Sequence, residues 1–242
     1  MRVCEIFTSI SGEGITAGTP AIFLRLSGCN LRCQWCDTKY HIYGTEWEVE
    51  KLADELNSKM EHEYKHRGID LLIITGGEPL VQEKELISLL ELLDFSFVDW
   101  HDFYEVRIET NGSFLVDWNH YNHISSDSPC IITFSVDFKL PSAFDDFSSY
   151  EVYKEVAEKN FSVLLLTGSL DEIKFVVDPD EPLDISELKK MLRAVDTSCV
   201  SNLIIQPVYG KDLNKVIDSL RDEPFFGKLK FGVQLHKILG WR

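Results

Sequence analysis

Three cysteines, Cys29, Cys33 and Cys36, are set at C-x3-C-x2-C spacing directly after an apolar run, Ala21 to Leu26. Thiolates are the ligands of iron–sulfur clusters, and a four-iron cluster ordinarily takes four of them. Three would leave one iron open to bind a small molecule and pass it an electron. A structural zinc site is the competing chemistry. Zinc needs a fourth ligand, and His41, five residues past Cys36, is the nearby candidate. Other polar groups with chemical potential are scattered along the chain: Gly76-Gly77-Glu78-Pro79, Thr110-Asn111, Asp137 with Lys139, Gln206-Pro207 and His236-Lys237.

The elements that must bring these groups together alternate in type. Val3 to Phe7 reads as a short strand and Ala21 to Leu26 as the next, with a glycine-punctuated loop, Ser9 to Gly14, between them. Thr45 and Glu48 form a capping-box pattern. Val49, Leu52, Ala53, Leu56 and Met60 recur after it at helical spacing, and Gly68 is a suitable terminator. Asp70 to Thr75 is a continuous apolar run of the buried-strand kind, followed by a helix that turns Leu86, Leu89, Leu90 and Leu93 inward. Tyr104 to Glu109 and Ile131 to Val136 are strands, and residues 94–103 and 113–130 read as irregular loops with one short helix at most. A helix is expected over Tyr150 to Lys159, while Phe161 to Thr167 fits helix or strand. Strands at Glu172 to Val177, Asn202 to Gln206 and Leu229 to Leu235 enclose helices marked by Ile185, Leu188, Leu192 and Val195, and by Leu213, Val216, Ile217 and Leu220. Alternation of this kind predicts an α/β fold with a mostly parallel sheet. Each polar cluster falls at or after the end of a strand. In parallel α/β folds such ends converge on one mouth, which predicts a single composite site at the C-terminal ends of the strands. No linker, repeat or low-complexity tract divides residues 1–242, so one domain is expected.

The composition is that of a globular protein, 44% apolar and 26% charged. No run approaches the roughly 18 apolar residues of a membrane span, and the N-terminus lacks a signal peptide's pattern, so the cytoplasm is the expected location. Cys4, Cys130 and Cys199 sit in apolar surroundings and read as buried thiols rather than a disulfide framework. The net charge of −16 opposes phosphate backbones, so no nucleic-acid partner is expected. It also opposes anionic small molecules unless cations are concentrated in the site.

The cysteine spacing, with Trp35 before the last cysteine, resembles the cluster motif of the radical S-adenosylmethionine (SAM) superfamily. The segments Glu5 to Gly14, Phe23 to Cys33, Cys36-Asp37-Thr38, Ile74 to Leu80, Ile108 to Gly112, Ile205-Gln206-Pro207 and Gln234 to Lys237 together resemble 7-carboxy-7-deazaguanine synthase, a family of the queuosine-precursor pathway. The resemblance implies a partial (β6/α3)-type radical SAM barrel, commonly a homodimer. It implies a 4Fe-4S cluster, SAM and Mg²⁺ as cofactors, and conversion of 6-carboxy-5,6,7,8-tetrahydropterin to 7-carboxy-7-deazaguanine with loss of ammonia. Carried onto this chain, Cys29, Cys33 and Cys36 hold the cluster and Thr38 binds Mg²⁺. Trp35, Cys36, Asp37, Gly77, Glu78, Asn111, Ser135, Asp137, Lys139 and Gln206 face SAM. Ile10, Ser11, Gly12, Glu13, Arg25, Thr75 and His236 line the pterin pocket. Many members have Gln where Ser11 stands, and Ser-Pro-Lys where this chain has Ser135-Val-Asp137-Phe-Lys139. Read from the residues alone, Arg25 also fits a structural ion pair, His236 a core histidine and Gln206 a cap on the sheet edge. A flavodoxin or ferredoxin is implied as electron donor, with Arg32, Lys39 and Lys237 as a basic patch to receive it. Two other readings remain open at this point: a glycyl-radical-enzyme activase and a non-catalytic metal or electron-transfer module.

Overall fold

The computed structural model describes residues 1–36, 42–115, 120, 121, 123, 124, 128–167, 170–194 and 202–240, with backbone alone at 161–167, 170 and 171. The strands are β1 (Arg2–Ile10), β2 (Pro20–Leu26), β3 (Thr45–Glu46), β4 (Leu71–Gly76), β5 (Tyr104–Thr110), β6 (Cys130–Lys139), β7 (Leu170–Val177), β8 (Leu203–Pro207) and β9 (Leu229–Phe231). They form one sheet of nine strands in the order β3-β1-β2-β4-β5-β6-β7-β8-β9. From β2 to β9 every neighbouring pair is parallel, as the alternation of elements predicts. At the other edge β1 is antiparallel to both β2 and β3.

Helices α1 (Val49–Arg67), α2 (Glu83–Leu92), α3 (Phe147–Thr167), α4 (Pro182–Ala194) and α5 (Leu213–Leu220) fill the connections, and a short α6 (Leu235–Leu239) follows β9. Their buried faces join the outward residues of the strands in one core. Leu52, Leu56 and Met60 of α1, Leu86 and Leu89 of α2, and Leu188 and Leu192 of α4 share it with Leu24, Ile74, Ile108, Phe134 and Phe175. Because strand side chains alternate between faces, the opposite face carries a different set. Its apolar cluster is at the β1, β2 and β4 end, where Ala21, Phe23, Leu71 and Ile73 pack together against Phe7. Further along, it presents Glu105, Arg107 and Glu109 on β5, Ser135 and Asp137 on β6, and Glu172 and Lys174 on β7. The sheet curls around this polar face. Residues from Phe7 on β1 to Tyr209 after β8 border one cavity, and Leu235 N donates to Gly12 O at 2.8 Å across its open side.

Several local expectations change. The Thr45/Glu48 pattern does not cap a helix: Thr45–Glu46 pairs with β1, and α1 starts at Val49 with no side-chain cap from Glu48, whose carboxylate pairs with Lys51 at 2.7 Å. Gly68 does end α1, in the left-handed conformation that suits glycine. The strand expected over Leu229 to Leu235 stops at Phe231, and Leu235, His236 and Lys237 lie on α6. β6 runs on through Lys139, so Asp137 and Lys139 belong to the strand itself rather than to the loop after it. The Phe161 to Thr167 stretch is helical, as part of α3.

Candidate active site

The cavity at the mouth of the sheet has a volume of about 540 Å³. Cys29, Cys33 and Cys36 border it from the loop after β2, with Trp35 beside them. The loop is anchored from two directions. On one side Gly77 N donates to Leu26 O at 3.2 Å and Glu78 N to Gly28 O at 2.8 Å. On the other, Gln34 N donates to Ala143 O at 3.0 Å, and the Trp35 indole N–H donates to Ser142 Oγ at 3.2 Å. Ser142 Oγ is oriented in turn by donating to Asp184 at 2.6 Å. The Lys139 ammonium lies 5.2 Å over the Trp35 ring.

Gly76, which ends β4, and Gly77 are both required by contact with the β2 end and the cysteine loop. Gly76 has φ +132. A Cβ on Gly77 would lie 1.9 Å from Gly28 O, which is backbone and cannot move without carrying Cys29 with it. Gly77→Ala is therefore expected to lower stability by about 1–3 kcal/mol and to reduce the iron taken up on reconstitution. Thermal unfolding and iron assay measure both; full iron content with an unchanged Tm would refute the packing account.

Glu78 does not reach the cavity. It is fully buried, and it accepts hydrogen bonds from Leu80 N at 3.0 Å, Thr110 Oγ1 at 2.8 Å and Asn111 N at 2.7 Å. Burial raises its pKa, against those three donors. Its place among the residues expected to face SAM is corrected accordingly: it fastens the Gly76-Gly77 turn to the end of β5. Asn111 does border the cavity and bonds Asn30 Oδ1 at 3.1 Å.

The opposite wall is made by the loop after β1 and by β2, β4 and α6. Ile10, Gly12, Glu13, Arg25, Thr75 and His236 all border the cavity. Gly12 sits flat against His236, where a Cβ would lie 2.2 Å from the ring. Arg25 is gripped from behind by Glu5 at 2.9 Å and lies over the Phe7 ring at 5.4 Å, so it is both an ion-pair partner and a lining residue. Ser11 is corrected: its side chain is buried in the loop, 2.8 Å from Thr16 Oγ1, and does not border the cavity. Gln206 is also buried and does not border the cavity, and neither its Nε2 nor its Oε1 has a hydrogen-bond partner. Asp37, Thr38, Lys39, His41, Cys199, Trp241 and Arg242 lie outside the described residues.

Several residues of the site were not singled out in the sequence. Glu109 borders the cavity and accepts from Thr75 Oγ1 at 2.7 Å; burial raises its pKa, with Lys174 and Thr75 opposing. Lys174 borders the cavity between Glu13 and Asp137. Arg107, fully buried, pairs with Glu172 at 2.9 Å and Glu105 at 3.2 Å. Their signal was available: charged residues at alternate positions of otherwise apolar strands are costly unless paired or used.

Three thiols bordering one cavity are a donor set that fits three corners of a four-iron cluster. Among the described residues, no three His, Cys, Asp or Glu side chains form a group that would hold a single metal ion. Zinc would draw thiolates to about 2.3 Å from one centre, whereas a cluster takes its thiolates at separate irons. Burial pushes the Cys33 thiol up to about 11 and raises that of Cys29, so in the free chain both are protonated at neutral pH.

Comparison with known proteins bears on the same region and on the whole chain. The profile of the radical SAM superfamily matches residues 24–124. The chain is 33% identical over 243 residues to the 7-carboxy-7-deazaguanine synthase of Methanospirillum hungatei, covering 99% of this chain and 86% of that protein. It is 31% identical over 243 residues to the enzyme of the same name from Clostridium acetobutylicum, with 98% and 95% covered. Among solved structures, QueE from Escherichia coli matches with a TM-score of 0.58 at 21% identity, over 97% of this chain and 94% of that one. Streptococcus suis SuiB bound to S-adenosylmethionine matches at 0.57 and 15% identity, over 87% and 51%. At these identities the structural likenesses speak to the fold.

Proposed function

The chain belongs to the 7-carboxy-7-deazaguanine synthase family of radical SAM enzymes, and from that premise we propose that its cavity binds a 4Fe-4S cluster with SAM on one wall and 6-carboxy-5,6,7,8-tetrahydropterin on the other. The observation that carries this reading is the meeting of two sets in one cavity. Cys29, Cys33, Cys36, Trp35, Gly77, Asn111, Ser135, Asp137 and Lys139 occupy one side, and Ile10, Gly12, Glu13, Arg25, Thr75 and His236 the other. When bound, the reduced cluster and SAM would supply the electron and the radical chemistry for removing a hydrogen from the pterin, toward 7-carboxy-7-deazaguanine and ammonia.

The chain's own residues bind and orient. Cys29, Cys33 and Cys36 hold three corners of the cluster. The backbone of Gly76-Gly77 borders the cavity and is available to the amino group of SAM. Gln206 has a buried amide with both ends unpaired; such a group favours a polar ligand or water, which supports its assignment to the SAM side. Arg25 offers donors to the pterin's carboxylate or ring edge, and Glu13 accepts from its N–H groups. Glu78 acts through its neighbours, as a positioning residue for Gly77 and Asn111.

Mg²⁺ takes few protein ligands and keeps several waters, so the hydroxyl of Thr38 is a reasonable sole anchor. Thr38→Val, which keeps the shape and removes the oxygen, is expected to leave iron content and SAM binding intact while flattening the Mg²⁺ dependence of product formation. Full Mg²⁺ stimulation in that variant would remove Thr38 from the metal site. The proposal extends to a single domain over 1–242, a homodimer, a cytoplasmic location and a flavodoxin or ferredoxin as electron donor. No helix among the described residues is long and apolar enough to cross a membrane.

The test is an anaerobic assay of reconstituted protein with dithionite, SAM, Mg²⁺ and the carboxypterin, read by mass spectrometry. 7-Carboxy-7-deazaguanine forming without any partner protein is the expected result and separates the enzyme from a glycyl-radical-enzyme activase. A protein that holds only zinc and lacks broad visible absorption would overturn the reading.

A further inference from the structure

Two charged side chains of β7, Glu172 and Lys174, face the inside of the sheet at successive inward positions. The ligand assignments above use neither. They are 1% and 7% exposed. The next inward position, Val176, is apolar, as a strand that only seals a core would be throughout.

Each of the two side chains joins the same pair of neighbours. Glu172 accepts from the hydroxyl of Ser135 on β6 and from the backbone N–H of Ile15 at 2.7 Å. Lys174 donates to the carboxylate of Glu13 and lies 3.6 Å from Asp137 on β6. Ser135 and Asp137 are on the SAM side; Glu13 and Ile15 are in the loop on the pterin side. That loop lies hard against β7. Gly14 has φ +70, and a Cβ there would be 2.3 Å from the Glu172 carboxylate.

The charges at these positions are stable ones. Burial acts to raise Glu172, but Arg107, Ser135 and Ile15 together hold it below the ordinary carboxylate range. Burial acts to lower Lys174, but Glu13, Asp137 and Glu109 hold it well above an ordinary lysine. The hydrogen bonds also fix direction. With its proton directed to Glu172, Ser135 Oγ has only lone pairs left for the cavity, so it can accept from a ligand and not donate. One oxygen of Glu13 is held by Lys174 and the other by Gln234 Nε2 at 2.7 Å. These two contacts set the plane of the Glu13 carboxylate from both sides.

We propose that Glu172 and Lys174 are positioning residues that latch the loop after β1 onto β6, Lys174 setting the pterin-binding geometry of Glu13 and Glu172 fixing Ser135 as an acceptor. The identity of the two ligands rests on the family reading, whereas the latch is a property of the ligand-free chain, so the experiment has one arm for each.

In ligand-free protein, amide hydrogen exchange at Ile15 is expected to speed up at least tenfold in Glu172→Leu, which removes the acceptor, with the amides of the β6–β7 ladder unchanged. If Arg107, left without that partner, prevents the variant from folding, Arg107→Met/Glu172→Leu removes both charges and gives the same readout. In the second arm, Lys174→Met keeps the stem and removes the charge. It is expected to weaken carboxypterin binding about 10- to 100-fold while changing SAM affinity less than twofold. Unchanged Ile15 exchange, unchanged pterin affinity, or a loss confined to SAM would each overturn the latch. Wild-type protein that fails to bind the carboxypterin would instead overturn the functional reading, and Ile15 exchange would still decide the latch.

Discussion

Replacing Cys33 by alanine is expected to bring SAM cleavage down to background and to lower the iron bound after anaerobic reconstitution. Three protein thiolates hold the cluster in the proposed arrangement, and no spare thiol stands ready among the described residues. Cys4 points away, 2.8 Å from Tyr43 O, and Cys130 is buried at the start of β6. Alanine at Cys29 or Cys36 should have the same outcome, whereas Cys130→Ala should keep both iron and activity. Iron and sulfide assays of each variant, with 5′-deoxyadenosine measured by chromatography, decide the matter. SAM cleavage by Cys33→Ala at the wild-type rate would exclude the cysteine loop as the cluster site.

The second large effect concerns how an acidic protein holds an acidic substrate. The chain carries a net charge of −16, a field that opposes a pterin carboxylate. The cavity reverses it locally: Arg25, Lys139, Lys174 and Lys237 border it against the carboxylates of Glu13, Glu109 and Asp137. Of these cations, Lys139 and Lys174 are engaged by Asp137 and Glu13. Arg25 is held by Glu5 through Nε, with the planar fork of its guanidinium suited to a carboxylate or a pterin edge. Losing one charge-assisted contact costs about 1.5–3 kcal/mol, a factor of roughly ten to a hundred in affinity. Arg25→Ala and Arg25→Lys are both expected to raise the apparent substrate constant by that order, lysine because it keeps the charge and loses the fork. SAM affinity should hardly move. Titration of each ligand against each variant checks the split, and a variant that lost SAM while keeping the pterin would put Arg25 on the wrong wall.

Much of the frame was legible because helical and strand periods differ so plainly along the chain. The run from Leu71 to Thr75, the spacing of Leu52, Leu56 and Met60, and Gly68 as a terminator all read directly into β4, α1 and its cap. The placing of polar clusters after strands likewise pointed to one mouth. The direction of β1 was less visible, although a cue existed: the connection to β2 runs only from Ser11 to Thr19, too short for the crossover that parallel neighbours need. Thr45 and Glu48 misled because a capping box describes local hydrogen bonding, and pairing with β1 took Thr45 first. The last strand ends at Phe231, short of where the pattern of apolar residues suggested, because Leu235 joins α6 and bonds back to Gly12. Ser11 and Glu78 sat beside residues that border the cavity, Ile10 and Gly12 in one case and Gly77 in the other, and only the fold reveals that their side chains turn back into the loops. Arg107, Glu172 and Lys174 were hidden for the opposite reason, since each lies inside a strand rather than in a motif.

The hydrogen bond from Gln234 to Glu13 spans 221 residues of sequence, and the bridge from Leu235 to Gly12 is comparably remote. Contacts of such separation carry the largest loop-closure entropy and form slowly. The parallel sheet and its helices rest on much shorter separations, so they can assemble first, as an open trough. The mouth of that trough is closed by these remote contacts between α6, with the residue before it, and the loop after β1.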